Sequence, residues 1–146
     1  MSEESESSLN EFSLCFFHHS HTVFHTYTYY YMFDFQKLEV YKKAKEFHKE
    51  MRILINNTKL DKYINDQLGR ASFSIALNIA EGSAKFSKPD RKNYFTTARG
   101  SVFECVAVLD ILNDELKIDK IQFERYLFKT DELSRILYTM IRNLEK

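Results

Sequence analysis

Apolar residues recur at helical spacing along most of this chain and predict four helices. In the first, at about residues 34–56, an apolar stripe lies opposite a basic row, with an acidic row between them. The stripe is Val40, Ala44, Phe47, Met51, Leu54 and Ile55; the basic row is Lys42, Lys45, Lys49 and Arg52; the acidic row is Glu39, Glu46 and Glu50. A single stripe indicates that this helix packs against the rest of the protein through one side.

The second helix, at about residues 61–84, has two apolar stripes. The first is Ile64, Leu68, Ala71, Ile75, Ile79 and Gly82, and the second is Phe73, Leu77, Ala80 and Ala84. One stripe is enough to join a bundle, so the second needs a partner of its own. Gly82 and the alanines permit another helix to approach closely.

The third helix begins near Ser87, which can cap it, with Pro89 and Asp90 in its first turn. It extends to about residue 113, and it too is apolar on more than one side. Its main stripe is Phe95, Ala98, Val102, Val106 and Leu109, and Phe103, Val108 and Ile111 lie elsewhere around it. We therefore predict an oligomer interface that contains Phe73, Leu77, Phe103, Val108 and Ile111.

The last helix follows a short connection at residues 114–119. Its apolar positions include Ile121, Phe128, Ile136, Met140 and Leu144, and the polar stretch at residues 129–132 favours a bend or an interruption. Four helices with short connections predict an all-α, antiparallel up-down four-helix bundle over residues 32–146.

Residues 1–31 differ in composition from the rest of the chain. An acidic, serine-rich opening leads into an aromatic tract that holds four of the five histidines: His18, His19, His21 and His25. A metal-binding tract is one interpretation, but no cysteine or acidic partner has ligand spacing. We prefer a poorly ordered extension, or upstream sequence if translation starts at Met32.

Charge and cysteine content restrict the function only mildly. Lys plus Arg and Asp plus Glu both number 21, and residues 1–31 hold four of the acids and no Lys or Arg, so the remainder carries +4. Cys15 and Cys105 have no metal-site spacing, and we expect Cys105 to be a buried free thiol in a reducing cytoplasm. No apolar run approaches the roughly 20 residues that span a bilayer. We expect no metal, cofactor or membrane partner.

Five polar residues lie on the two central helices: Arg70, Asn78, Glu81, Arg99 and Glu104. They could serve acid–base or phosphate chemistry, but we interpret them as a structural polar network inside the bundle or at its interfaces, because no histidine lies nearby in sequence. We therefore predict no catalytic site. A metal-dependent nuclease that uses Glu81, Glu104 or Asp110 is the enzymatic alternative, which we do not expect.

Two basic clusters are the candidate nucleic-acid contacts. Lys85, Lys88, Arg91 and Lys92 surround the start of the third helix, and Lys42, Lys45, Lys49 and Arg52 line the first. Such a row is ordinarily a solvated face, but repetition in an oligomer would add the fields of its copies. Few exposed aromatic residues accompany these clusters, so we do not expect base stacking or sequence-specific readout.

Three stretches carry a family resemblance: Phe35–Tyr41, Gln67–Gly82 and Phe95–Ser101 with Glu104. Together they resemble the small bacterial four-helix-bundle proteins encoded in intervening sequences of 23S rRNA genes, which are related to the accessory protein of diversity-generating retroelements. The resemblance covers about residues 32–146 and implies a homopentamer, a basic surface for nucleic acid and no established enzymatic activity. Tyr41 stands where the family often has Trp, and residues 1–31 have no counterpart.

The pattern and the resemblance together predict a non-enzymatic protein that binds RNA or DNA phosphates. The alternative is a protein-interaction scaffold or an accessory subunit of a nucleic-acid enzyme such as a reverse transcriptase.

Overall fold

The chain folds into an antiparallel up-down four-helix bundle. A computed structural model describes residues 33–146, and the expectations for residues 1–31 lie outside them. The elements are a 3₁₀ turn at Asp34–Lys37 and the helices α1 (Glu39–Asn57), α2 (Lys62–Ala84), α3 (Lys88–Asp114) and α4 (Lys120–Leu144). Successive helices pack against each other, and α4 closes the bundle against α1. The predicted fold class is confirmed.

The apolar stripe of α1 and the first apolar stripe of α2 face the core. Phe47 and Met51 of α1 pack with Leu68 and Ile75 of α2, and all four are fully buried. The whole first stripe of α2 is buried, including Gly82. Helical periodicity therefore identified the inward faces of these helices correctly.

The start of the first helix differs from the prediction. Residues 34–37 form a separate 3₁₀ turn, and Leu38, with φ −64° and ψ 127°, is extended and divides that turn from α1. The Gln36 side chain accepts a hydrogen bond from the Phe33 N–H at 3.0 Å, and Phe35 packs edge-on against Tyr41 with ring centroids 4.9 Å apart. These contacts fold the turn over the end of the bundle instead of extending α1.

Helix α4 is continuous over Lys120–Leu144, so the chain is not interrupted at residues 129–132. The Thr130 hydroxyl donates to the Tyr126 carbonyl at 3.0 Å within the same helix, and Thr130 is buried. The inward face of α4 consists of Tyr126, Thr130, Leu133 and Leu137. Ile121 and Phe128, two of the apolar positions named from the sequence, are exposed.

Ion pairs connect α1 to α4. Lys129 of α4 contacts both Glu50 and Glu46, the latter at 3.4 Å, and Lys43 of α1 contacts Glu132 at 3.1 Å. The hydrogen bond to Glu50 raises the pKa of Lys129 above its ordinary value. The acidic row of α1 is thus directed at cations of α4.

The contact between α2 and α3 is the most extensive in the bundle and runs over small residues. The Ser101 hydroxyl donates to the Ser74 hydroxyl at 2.9 Å, and Asn78 donates to the Ser74 carbonyl at 2.9 Å. A methyl group added at Gly82 would lie 2.8 Å from a Phe95 ring carbon and 2.9 Å from the Tyr94 Cβ. The helices can approach this closely only because residue 82 has no side chain.

The chain leaves α3 through a residue in the left-handed conformation, two positions after the last helical residue. Leu116 has a φ of 55°, and its N–H donates to the Asn113 carbonyl while the Lys117 N–H donates to the Leu112 carbonyl. This is the Schellman pattern, in which glycine is the usual residue. Here Leu116 adopts the left-handed conformation, and its side chain is exposed.

Replacing Gly82 by alanine is expected to destabilise the protein by roughly 1–3 kcal/mol, because the methyl group would push against Tyr94 Cβ and the Phe95 ring. The matched control is Gly100→Ala on α3, where nothing lies within 4 Å of the added methyl group and helix propensity alone predicts a gain of about 0.5–1 kcal/mol. Urea unfolding of both variants measures the difference. A Gly82→Ala protein as stable as wild type would contradict the close contact.

Candidate nucleic-acid interface

The connection between α2 and α3 brings together the first predicted basic cluster, here called the basic turn: Lys85, Lys88, Arg91 and Lys92. The Arg91 Nε donates to the Lys85 carbonyl at 2.7 Å, which ties the first turn of α3 to the end of α2. The Lys85 ammonium lies 4.9 Å from the centroid of the Tyr94 ring. Within residues 33–146, no carboxylate forms an ion pair with Lys85, Lys88 or Arg91.

Two carboxylates reduce the positive field of the basic turn. Lys92 pairs with Glu145 at 2.8 Å, and this contact holds the pKa of Glu145 below its ordinary value. Ser87 accepts from the Asp90 N–H at 3.2 Å, and its hydroxyl donates to the Asp90 carboxylate at 2.6 Å. An anion of the protein therefore already lies at the start of α3. The free N–H groups at the start of α3 are therefore less available to an external anion than the sequence suggested, and the side chains of the turn are its main positive groups.

Phe86 lies in the middle of the basic turn and is fully exposed. Lys85 precedes it, and Lys88 follows two residues later. Phe86 is thus one exposed aromatic residue within a basic cluster, a position that was not singled out from the sequence. The sequence held one signal for this exposure: an aromatic residue directly before Ser87, which caps α3. At that point the chain has left α2, so the residue cannot continue the buried stripe of that helix.

An open cavity of ≈ 730 Å³ adjoins the basic turn at the same end of the bundle. Its walls include Phe35 of the 3₁₀ turn, Phe95 of α3 and Met140 of α4. Arg91 and Asn143 add polar groups to the walls, and Ser83 and Ala84 from the end of α2 complete that side. Arg91 thus belongs to both the turn and the cavity.

The second basic cluster, here called the α1 row, is Lys42, Lys45, Lys49 and Arg52. The last three are exposed, and Lys45 lies 5.5 Å from the centroid of the Tyr41 ring. Among the described residues, no ion pair involves Lys49 or Arg52. The acidic row of the same helix is engaged by α4 and by Lys43, so it does not neutralise these cations.

His48 lies beside the α1 row. Its Nδ1 is 2.9 Å from the Ser72 hydroxyl of α2, and its ring centroid is 5.3 Å from that of Phe73. Desolvation, followed by the charge of Arg52, lowers the pKa of His48 below its ordinary value. The imidazole is therefore mainly neutral near pH 7.

The predicted interface residues remain largely uncovered on the protomer. Phe73 is 50% exposed, Leu77 42%, Phe103 54% and Ile111 53%, while Val108 is partly buried against the core. Phe73 and Leu77 lie one helical turn apart on the α1 side of α2, where Phe73 meets His48. These two residues are called the α1–α2 patch.

A second uncovered patch lies between α3 and α4. The Arg99 guanidinium is 4.9 Å from the centroid of the Phe103 ring and 5.5 Å from that of Tyr138, and its Nε donates to the Ser134 hydroxyl at 3.2 Å. Phe103 and Tyr138 are called the α3–α4 patch. The two patches lie over different helix grooves of one protomer.

The five polar residues predicted as a network do not join one another within the protomer. Arg70 and Glu81 are exposed, and the Arg70 Nε donates only to the Asp66 carbonyl of its own helix. Glu104 accepts from Gln67, and Asn78 bonds to Ser74. Any role at an interface stays a prediction.

Cys105, next to Glu104, is a buried free thiol as expected. Burial, with a smaller effect from the Glu104 charge, raises the pKa of the Cys105 thiol to about 12.

In residues 33–146, His, Cys, Asp and Glu side chains form no group of three that could hold a metal ion. None of the four helices described has the length and apolar content to cross a membrane.

Comparison with known proteins agrees with this architecture. The model of the 23S rRNA-intervening sequence protein family matches residues 36–139. The chain belongs to this family. The match spans all four helices of the bundle, and it confirms the family resemblance found in the sequence.

A solved structure is similar to this member of the 23S rRNA-intervening sequence protein family. It is a crystal structure of a protein of unknown function from the S23 ribosomal protein family of Bacteroides thetaiotaomicron VPI-5482. The TM-score is 0.65 and the sequence identity 25%, over 70% of this chain and 97% of that chain. No curated protein matches the chain.

Protonation of His48 is expected to destabilise the fold. Because the pKa of His48 is lowered in the folded state, the unfolded chain binds the proton more readily, and the free energy of unfolding should fall as pH drops below about 6.5. Urea unfolding at about pH 7.5 and about pH 5.5 should therefore show a larger loss in wild type than in His48→Asn. Equal losses in the two proteins would contradict this.

Proposed function

We propose that this protein is a non-enzymatic, homo-oligomeric nucleic-acid-binding protein that contacts RNA or DNA phosphates through the basic turn and the α1 row. The observation that carries the proposal is the way the charges are distributed. The acidic row of α1 is engaged by Lys129 and Lys43, while Lys49, Arg52 and Lys88 point at solvent without a carboxylate partner among the described residues. A formally neutral chain thus presents cations on its surface where a polyanion can reach them.

Self-association would multiply these cations. Each protomer carries two different apolar patches, Phe73 with Leu77 and Phe103 with Tyr138, and contact between two different patches generates a ring when the rotation closes. We propose the homopentamer that the family resemblance implies. In such a ring each basic cluster occurs once per subunit, and the fields of the copies add.

The comparisons support a role near RNA. The matching family takes its description from 23S rRNA intervening sequences, and the similar crystal structure is assigned to a ribosomal protein family. The first description refers to an rRNA intervening sequence and the second to a ribosomal protein family, and neither describes a chemical reaction. They favour binding over catalysis as the function of this bundle.

Changing Lys88, Arg91 and Lys92 to Gln together should weaken nucleic-acid binding and flatten its salt dependence. Each lost phosphate contact reduces the slope of log K against log salt by roughly 0.7–0.9, so we expect a decrease of about 2. Fluorescence anisotropy with labelled RNA over a salt series measures the slope. Light scattering should give the same oligomer mass as for wild type.

The matched control removes three lysines at the opposite end of the bundle, Lys59, Lys62 and Lys117. It makes the same change in net charge and should leave the slope near that of wild type. An unchanged slope in the Lys88, Arg91 and Lys92 variant would remove the basic turn from the interface. Capture of a nucleic-acid enzyme that survives nuclease treatment would instead favour an accessory subunit.

A further inference from the structure

Phe86 differs from the other exposed apolar residues of the bundle in its surroundings. It is fully exposed, and it projects from the basic turn between Lys85 and Lys88. Single exposed apolar side chains are common on protein surfaces. An aromatic ring in a turn whose sequence carries four cations has a more specific meaning, because it offers a flat apolar face near the place where a phosphate chain would be held.

A mainly apolar cavity opens at the same end of the bundle, and Phe86 lies next to it in sequence but not in its wall. The wall includes Ala84, two residues before Phe86, and Arg91, whose Nε is fixed on the Lys85 carbonyl at 2.7 Å. The rings of Phe35 and Phe95 line the cavity. Its ≈ 730 Å³ lie within the range of small-ligand pockets, roughly 300–1,000 Å³.

Polar groups lie among these aromatic walls. Asn143 offers an amide that can donate to and accept from the edge of a heterocycle. The Ser83 hydroxyl already donates to the Ile79 carbonyl at 2.7 Å and the Asp34 carboxylate pairs with Lys37 at 2.9 Å, so both can add only acceptor oxygens. The nitrogens of the Arg91 guanidinium other than Nε are available to an anion at the mouth. The end of the bundle thus combines stacking surface, hydrogen-bonding groups and positive charge.

An unpaired nucleotide has the three complementary properties. Its base has a flat face and a polar edge, and its phosphates are negative, whereas a duplex hides the base faces inside its stack. We propose that Phe86 and the adjoining cavity bind unpaired nucleotides, so that the protein prefers single-stranded nucleic acid to duplex. This inference rests on the proposed function and adds the class of nucleic acid and a residue that stacks on a base.

The test compares one labelled strand of about 16 nucleotides, single-stranded or annealed to its complement, by fluorescence anisotropy with the full-length protein. Wild type should bind the single strand more tightly. Phe86→Ala should weaken single-strand binding about 5- to 100-fold, the loss expected from one base–aromatic stack, and leave duplex binding unchanged. Phe86→Tyr should retain single-strand binding, while Phe86→Leu, which is apolar but lacks a ring, should lose it.

The matched control is Tyr63→Ala, which removes an exposed aromatic ring at the opposite end of α2 and should change neither affinity. Equal effects of Phe86→Ala and Tyr63→Ala would overturn the stacking site and leave the proposed function standing. Equal losses on single strand and duplex would overturn it as well. An altered oligomer mass in Phe86→Ala would assign Phe86 to a contact between copies. If wild type bound neither nucleic acid, the proposed function itself would fail.

Discussion

The close contact between α2 and α3 determines what this bundle can present to its surroundings. Small residues lie between the two helices: Gly82 faces Tyr94 and Phe95, and the hydroxyls of Ser74 and Ser101 meet directly. Because the helices approach through small side chains, the larger apolar residues Phe73 and Phe103 are left on outward faces. The same packing that stabilises the protomer therefore leaves it with apolar surface that a second copy can cover.

The ion pairs between α1 and α4 have a comparable consequence for charge. Lys129 of α4 and Lys43 of α1 engage the acidic row of α1, so this row does not pair with Lys49 or Arg52. The more exposed of these ion pairs, such as Lys129 with Glu46, contribute little to stability, about 0–1 kcal/mol each. Their main effect here is to segregate the charges of a formally neutral chain into surfaces of one sign.

Much of the fold could be predicted from sequence, because the predicted α1 stripe except Ile55 and the whole first stripe of α2 are buried at helical spacing. The predictions failed where periodicity carries no information. The 3₁₀ turn ends at Leu38, where Phe35 packs on Tyr41. In α4 the face that packs against the core does not include Phe128, which is exposed. The candidate site was predicted as a set of charges, and the exposure of Phe86 was missed because hydrophobic periodicity does not extend into the connection, where only its position directly before Ser87 indicated it.

The central claim is that two uncovered apolar patches drive copies of this protein to associate and gather their cations into rings. The most direct test is the mass of the full-length protein in solution, measured by light scattering at micromolar concentration. The account predicts an assembly of several chains, five if the family resemblance holds in detail, and dissociation when Leu77 and Phe103 are both changed to Glu. A folded single chain at that concentration would contradict the account.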